Sequence, residues 1–504
     1  MTFSQKILCL GNETENTDHL VCLLAQTNNT VNHGLITDAS FVPLASGYYH
    51  TTVVDLPAAK IVELAKHFDQ ITMLDQPKES YPHWKSYVHT FRFMYDLEQA
   101  GYNVDYLDKQ CNKNMVYWHK LLRENKSICM YPFFAVIDNL GSRGICVKSP
   151  EYDVGHINSV EDWVHDTEMN TIRQRMLTGQ LNPQTCHACY TLEDEYQESA
   201  RQYETLEWAA RMNFESIGEF AKVDPMYYEI RPSNKCNMMC RTCDNQHSHL
   251  IEKEYKSIGI PLIKYTKQNR TFDEVNFASL EKLYVGGGEP TIMPEFYEFL
   301  QKCIYAGKTN FELFIGTNGL KFSDKLLNLL DHFSDVCFSV SFDGYKKVND
   351  YIRWGADFDT IHANSKMLID RGHTVALQTV FTIYNATNIH EIFEFYDREF
   401  PNSSCLVNYG VREDDIISPY NHPDRDAVLR SMERCQKTNV YYANGRQCKS
   451  QVDAMISQYA ANDHHCDVEK LKLFFEYNDK LDRSRGVKLL DYIPELETAR
   501  SLLS

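Results

Sequence analysis

Residues 234–249 read "NKCNMMCRTCDNQHSH". Three cysteines, Cys236, Cys240 and Cys243, stand close together, spaced C-x3-C-x2-C. A closed structural zinc or iron–sulfur site takes four protein ligands, whereas a catalytic metal site keeps one position open. Three soft ligands therefore predict a metal site with room for an external ligand. Spacing alone leaves two readings. The thiolates hold three irons of a cubane cluster and leave the fourth iron open, or they hold a zinc ion whose fourth ligand is His247 or His249.

The surroundings of this stretch predict an α/β architecture. It follows a strand-like run, "YYEIRPS", and further strand candidates come in order: "KLYVGG", "FELFIGTN", "VCFSVSFD", "VALQTVFTIYN" and "CLVNYGVRE". Helical patterns such as "MPEFYEFLQKCIYAG" and "SDKLLNLLDHF" lie between them. Alternation of this kind implies parallel β units. Six repeats predict a partial, open (βα)6 barrel over residues 227–413, related to but smaller than the eight-fold barrel. Functional residues are then expected at the C-terminal ends of the strands.

Four motifs fall at those ends. The cysteine loop follows the first strand, "YVGGGEP" from Tyr284 ends the second, "GTNG" from Gly316 the third and "SVSFDG" from Ser339 the fourth, with "YIRWG" from Tyr351 just beyond. In this order they resemble the radical S-adenosylmethionine (radical SAM) superfamily. The resemblance covers about residues 227–400 and implies a 4Fe-4S cluster on Cys236, Cys240 and Cys243, with SAM on its open iron. It implies that Gly287, Gly288, Glu289 and Pro290 form a SAM-binding turn, the glycines letting backbone approach the ligand and Glu289 accepting from the SAM amino group. Thr317 and Asn318 match the family's Thr-Asn position, Ser341 and Asp343 are placed for SAM's polar groups, and Arg353 for its carboxylate. The implied activity is reductive cleavage of SAM to a 5′-deoxyadenosyl radical that takes hydrogen from a substrate. A one-electron reductant such as flavodoxin or ferredoxin is the implied partner.

A second set consists of Cys129, Cys146, Cys186 and Cys189: one before a hairpin-like stretch, "FFAVIDNLGSRGICVKS", one at its end, and a C-x-x-C farther on. The set resembles the twitch module, a shortened SPASM domain that carries an auxiliary iron–sulfur cluster. Four cysteines suffice to close a 4Fe-4S cluster, and a zinc ribbon is the competing reading. Two features depart from the family pattern: the module precedes the barrel instead of following it, and it lacks the larger cysteine complement of a full SPASM domain. Between these cysteines a helix is expected from Ser159 through "TIRQRMLTG", and a long linking helix from Glu193, "EDEYQESARQYETLEWAARM".

Residues 1–115 read as a small α/β domain with strands "KILCLG", "TTVVDL" and "QITMLD" and an amphipathic helix "PAAKIVELAKHF". "NHGLI" reads as loop or strand filler. No nucleotide-binding glycine motif follows any of these strands. The expected organisation is thus this domain, a twitch-like module with linker helix over 125–222, the barrel over 227–413 and a helical region over 414–504. Cys9, Cys22, Cys303, Cys337 and Cys405 read as core residues, Cys111 has no evident partner, and the wide spacings of Cys435, Cys448 and Cys466 match no tight motif.

The 504 residues carry a net charge of −18, which disfavours a nucleic-acid binder and with it RNA modification. No apolar run approaches a membrane span, and no signal-peptide core is seen, so a cytoplasmic location is expected. In that reducing compartment sixteen cysteines serve as ligands, reactive thiols or core residues rather than disulfides. Modules of the twitch and SPASM type commonly modify ribosomal peptides, so a peptide substrate is expected ahead of a small molecule. The alternative class is a non-catalytic zinc- or cluster-binding protein on a degenerate barrel.

Overall fold

The computed structural model describes residues 5–11, 31–37, 51–54, 70–74, 104–106, 113–139, 142–146, 159–194, 199–221, 224–264, 272–401, 403–408, 415–440, 445–461 and 466–503. The chain divides into two compact units, one of residues 1–135, 145–152 and 161–224, the other of residues 136–144, 153–160 and 225–504.

In the first unit, β1 (Gln5–Gly11), β2 (Val31–Thr37), β3 (Thr51–Val54), β4 (Gln70–Leu74) and β5 (Val104–Tyr106) form a sheet of order β3-β2-β1-β4-β5. All its pairs are parallel. The chain steps outward from β1 to β3, then crosses to the other side of β1, which is the doubly wound pattern. "NHGLI" lies within β2, so it is a strand, and β5 has no counterpart among the expected strands. The expected helix over 57–68 lies outside the described residues.

Helices Lys113–Glu124, Val160–His165, Thr167–Leu177, Pro183–Asp194 and Ala200–Met212 follow. The single helix expected from Ser159 is broken at Asp166, whose carboxylate accepts the Met169 N–H at 2.8 Å and so caps a new helix. The helix expected from Glu193 starts instead after Ser199, which forms a capping box with Gln202. Glu193 belongs to the preceding helix, and that helix also carries Cys186 and Cys189. The C-x-x-C pair is therefore helical, and its i, i+3 spacing puts both thiols on one face. Buried Trp118, Trp163, Trp208 and Phe134 build the core of this unit, with Trp118 Nε1 donating to the Phe214 carbonyl at 2.7 Å.

In the second unit, β8 (Tyr227–Ile230), β9 (Lys282–Val285), β10 (Glu312–Thr317), β11 (Asp335–Ser341), β12 (Thr374–Val380) and β13 (Ser404–Asn408) pair in sequence order, all parallel. Helices His249–Ile258, Pro294–Tyr305, Asp324–Leu330, Phe358–Asp370 and Ile389–Glu399 connect them, as strand–helix alternation predicts. The hairpin β6 (Ala135–Asn139) and β7 (Ser142–Gly144) extends the sheet beyond β8. Residues 136–144 thus group with the barrel, not with the cysteine-bearing helices to which the sequence assigned them.

Register divides the sheet into two faces. Leu283, Val285, Leu313, Ile315, Phe338, Val340 and Leu377 alternate onto one face and are completely buried. The opposite face is the barrel interior and carries Glu229, Tyr284, Ser339, Ser341 and Gln378. After the barrel come helices Arg425–Cys435, Gly445–Ala461 and Val468–Arg485. No helix among the described residues is long and apolar enough to cross a membrane.

Candidate functional site

The loop after β8 is held open by its own polar groups. Ser248 Oγ donates to the Met238 carbonyl at 2.9 Å, His249 N to the Asn234 carbonyl at 2.9 Å, and the Cys236 N–H to His249 Nδ1 at 3.2 Å. As an acceptor at Nδ1, a neutral His249 carries its proton on Nε2, and neither nitrogen is then available to a metal. His247 is paired through Nδ1 with Asp244 at 2.9 Å.

Burial raises all three loop thiols: Cys236 to about 12, with Cys240 as the next cause, Cys240 itself, and Cys243 well above the usual thiol range, reinforced by Cys240, Asp244 and Cys236. Cys240 thus lies close enough to Cys236 and Cys243 to disfavour their ionisation. Such a set is protonated when metal-free and must shed protons to bind iron.

The glycine-rich turn after β9 docks on this loop. Gly288 N donates to the Ser233 carbonyl at 3.0 Å and Glu289 N to the Lys235 carbonyl at 2.8 Å. A Cβ at Gly288 would lie 2.1 Å from the Lys235 oxygen, and one at Gly287, whose φ is +111°, 2.8 Å from the Ser233 oxygen. The close approach that requires these glycines is to the cysteine loop itself. Pro290 opens a short 3-10 turn behind them.

Glu289 is 1% exposed and accepts four hydrogen bonds. Thr291 N, Thr291 Oγ1 and Thr317 Oγ1 donate to Oε1, and Asn318 N donates to Oε2 at 2.7 Å. Asn318 Nδ2 in turn donates to Asn237 Oδ1, within the cysteine loop, at 2.7 Å. The second and third motifs are therefore cross-braced to each other and to the first, and Oε2, with one donor, keeps the spare acceptor capacity.

Asp343 is equally buried. Its Oδ1 accepts Val380 N at 2.9 Å, and its Oδ2 accepts Arg353 Nη1 at 2.8 Å. Burial works against the Arg353 cation, yet Cys240 and Asp343 outweigh it and lift its pKa. Arg353 Nε is buried without a hydrogen-bond partner among the described residues. This unsatisfied donor, near Cys236 and Cys240, suits an anionic group. The segment bearing Arg353 is tied to the cysteine loop by Met239 N to the Trp354 carbonyl at 2.8 Å and Arg241 N to the Ile352 carbonyl at 2.7 Å.

Two further groups have no place among the sequence motifs. Arg241, between Cys240 and Cys243, is fully buried with its guanidinium 3.7 Å from the Tyr351 ring centroid. It donates to Asn478 Oδ1 at 2.9 Å, Asp482 Oδ1 at 2.6 Å and the Tyr351 carbonyl at 3.0 Å. The Val468–Arg485 helix thereby bolts the cysteine loop in place. On the barrel interior, Arg231 pairs with Glu229 and lies over Tyr284, 5.4 Å from its centroid. Gly286 and Gly316 leave room for that phenol, since Cβ atoms there would sit 2.8 and 2.6 Å from it.

In the first unit Cys129, Cys146, Cys186 and Cys189 come together: burial first, then each of the other three, pushes the Cys129 thiol well above its usual range. Arg201 and Thr205, one turn apart on helix Ala200–Met212, grip the backbone on either side of Cys129. Arg201 Nη1 donates to the Ile128 carbonyl at 2.7 Å, and Thr205 Oγ1 accepts Met130 N at 3.2 Å. Arg201 also binds both Glu193 oxygens, at 2.8 and 2.6 Å, on the helix carrying Cys186 and Cys189. One buried ion pair thus links the separated cysteine stretches. Four neighbouring cysteines, Cys129 and Cys189 buried and Cys146 and Cys186 half-buried, are enough in number for a fully ligated cluster. Among the other cysteines, Cys303, Cys337, Cys405 and Cys435 are buried in the core, whereas the side chains of Cys9 and Cys22 lie outside the described residues.

Residues 230–397, about a third of the chain, match the radical SAM superfamily model. No curated protein matches the chain. Among solved structures, anSMEcpe with bound AdoMet is similar at 16% identity, with 42% of this chain and 57% of that chain covered and a TM-score of 0.33. Streptococcus suis SuiB bound to S-adenosylmethionine is similar at 15% identity, covering 54% and 60%, with a TM-score of 0.29. SuiB bound to its precursor peptide SuiA gives 16%, 62% and 63%, with a TM-score of 0.28. The matched part thus spans under two thirds of each of these chains. What this match shows is that residues 230–397 of this protein are similar to the radical SAM superfamily.

Proposed function

We propose that the protein is a radical SAM enzyme whose loop thiols Cys236, Cys240 and Cys243 hold a 4Fe-4S cluster. The observation that supports this reading is the unsatisfied, buried Arg353 Nε near Cys236 and Cys240 of the three-cysteine loop. When bound, the cluster and SAM supply a 5′-deoxyadenosyl radical that takes a hydrogen atom from the substrate. Arg353, oriented by Asp343, binds the SAM carboxylate, and Oε2 of Glu289 accepts from its amino group. Gly287, Gly288, Pro290, Thr317 and Asn318 fix the pocket wall, and Ser341 hydrogen-bonds a polar group of SAM. The Arg231–Glu229 pair, Ser339 and Gln378 face the interior and receive a polar substrate, a peptide ahead of a small molecule. Cys129, Cys146, Cys186 and Cys189 hold an auxiliary 4Fe-4S cluster.

Anaerobic reconstitution tests the reading. About eight irons per chain are expected, four for each cubane, with reductive formation of 5′-deoxyadenosine from SAM. Stoichiometric zinc with negligible iron would overturn it and favour the non-catalytic alternative.

A further inference from the structure

We propose that Asn349 is a positioning residue for SAM, acting through the Asp343–Arg353 pair, an assignment that rests on the SAM-site reading above. Asn349 is 0% exposed and lies on the short helix Lys347–Ile352, between the two partners of that pair in the chain. It holds both of them. Its side-chain Oδ1 accepts the Asp343 N–H at 3.0 Å, and its main-chain carbonyl accepts the Arg353 N–H at 2.7 Å. The amide sits only one way round, since Asp343 N can only donate. Nδ2 then donates to Asp350 Oδ1 at 3.3 Å.

Two parts of the chain converge on Asp343. From β12 and the loop beyond it, Val380 N donates to Oδ1 at 2.9 Å and Asn385 Nδ2 to the Asp343 carbonyl at 2.9 Å. From the 345–353 segment come Asn349 and the Arg353 guanidinium. Asn349 is thus the group that fixes the backbone of this segment against Asp343, so that Arg353 meets the carboxylate. The segment does not rest in this shape by itself. Lys346, at the helix start, has a φ of +49°, a left-handed conformation that L residues rarely adopt and that persists only where surrounding contacts impose it. The Asn349 bond back to Asp343 spans that residue and closes the turn. Without it the Asp343 N–H is a buried donor with no partner, the turn relaxes, and the unsatisfied Arg353 Nε loses its aim. Arg353 is the group placed for the SAM carboxylate, so the effect of Asn349 is confined to ligands that carry one.

The test compares SAM with decarboxylated SAM, which lacks the carboxylate, by calorimetry on the full, iron-reconstituted chain. Asn349→Ala is expected to keep its iron and raise the Kd for SAM roughly threefold to tenfold, the worth of one hydrogen bond, with the Kd for decarboxylated SAM unchanged. In an Arg353→Ala background the same change is expected to add nothing for either ligand, because the two residues act as a unit. An unchanged Kd for SAM in Asn349→Ala overturns the proposal. So does equal weakening of both ligands, which marks Asn349 as structural only. Asn349→Ser leaves a smaller gap but is too short to reach Asp343 N; it carries the same expectations and is read if the alanine variant does not fold. Loss of folding in both makes Asn349 a structural residue and overturns the assignment as well. A parent protein that binds no SAM, or an Arg353→Ala protein that binds it as the parent does, refutes the SAM-site reading itself. That outcome is distinct from a parent that binds SAM and ignores Asn349.

Discussion

The three thiols of the 236–243 loop come from one short stretch and are steadied from outside, by the glycine turn, the 352–354 segment and Asp482. The four thiols of the first unit come from separate stretches and are steadied from within, by Arg201 and Thr205 of one helix. Burial does not separate the two sets cleanly: Cys129 and Cys189 are buried, whereas Cys146, Cys186 and the three loop cysteines are half-buried. The two sets therefore differ less in burial than in what braces them.

The comparison breaks most visibly at the thiols. Changing Cys236, Cys240 and Cys243 to Ala should abolish 5′-deoxyadenosine formation and remove about four irons per chain, leaving the other four in place. Loss of all iron on metal analysis would show that the two sets are not independent. The braces come next. Arg241→Met strands Asp482, and Arg201→Met strands Glu193, each at a cost of about 3–5 kcal/mol for a broken buried pair. Iron quantification combined with EPR should show that Arg241→Met empties only the loop and Arg201→Met only the four-cysteine set. Equal losses at both sites would refute separate bracing.

A smaller effect is expected at Arg353. Arg353→Ala should weaken SAM binding roughly tenfold to a hundredfold, the worth of about 1.5–3 kcal/mol for charge-assisted hydrogen bonds, while iron stays bound. Calorimetry on the reconstituted protein measures this, and an unchanged affinity would remove Arg353 from the pocket. The mildest effect is that of pH. Burial holds Cys236 near pH 12, so its thiol is protonated between pH 6 and 9, and each thiol that binds iron releases a proton. Iron loading should therefore strengthen as pH rises, by about tenfold per pH unit for each proton released. An indicator-dye assay that detects no proton release would contradict the raised thiol.

The parallel order of β8 to β13 and the loop that follows the first of them were legible because strand–helix alternation and C-x3-C-x2-C are local patterns. The bracing was not, because it is made by residues far apart in sequence: Arg241 with Asp482, Arg201 with Ile128, Glu289 with Asn318. The glycines were legible as a point of close approach, but only the fold shows that Lys235 is what approaches. Arg231 left a signal that went unused: Tyr227, Glu229 and Arg231 alternate along β8 as polar groups on one face. The hairpin was readable as a hairpin, but which sheet it joins depends on backbone pairing that no local pattern encodes.

The bond between Arg241 and Asp482 spans 241 positions of the chain. A ribosome adding about 5–20 residues per second makes the second partner roughly 12–48 s after the first. Through that interval the cysteine loop exists without its bolt, its thiols available to any passing metal or oxidant. The loop gains this brace only once the Val468–Arg485 helix has been made and has docked.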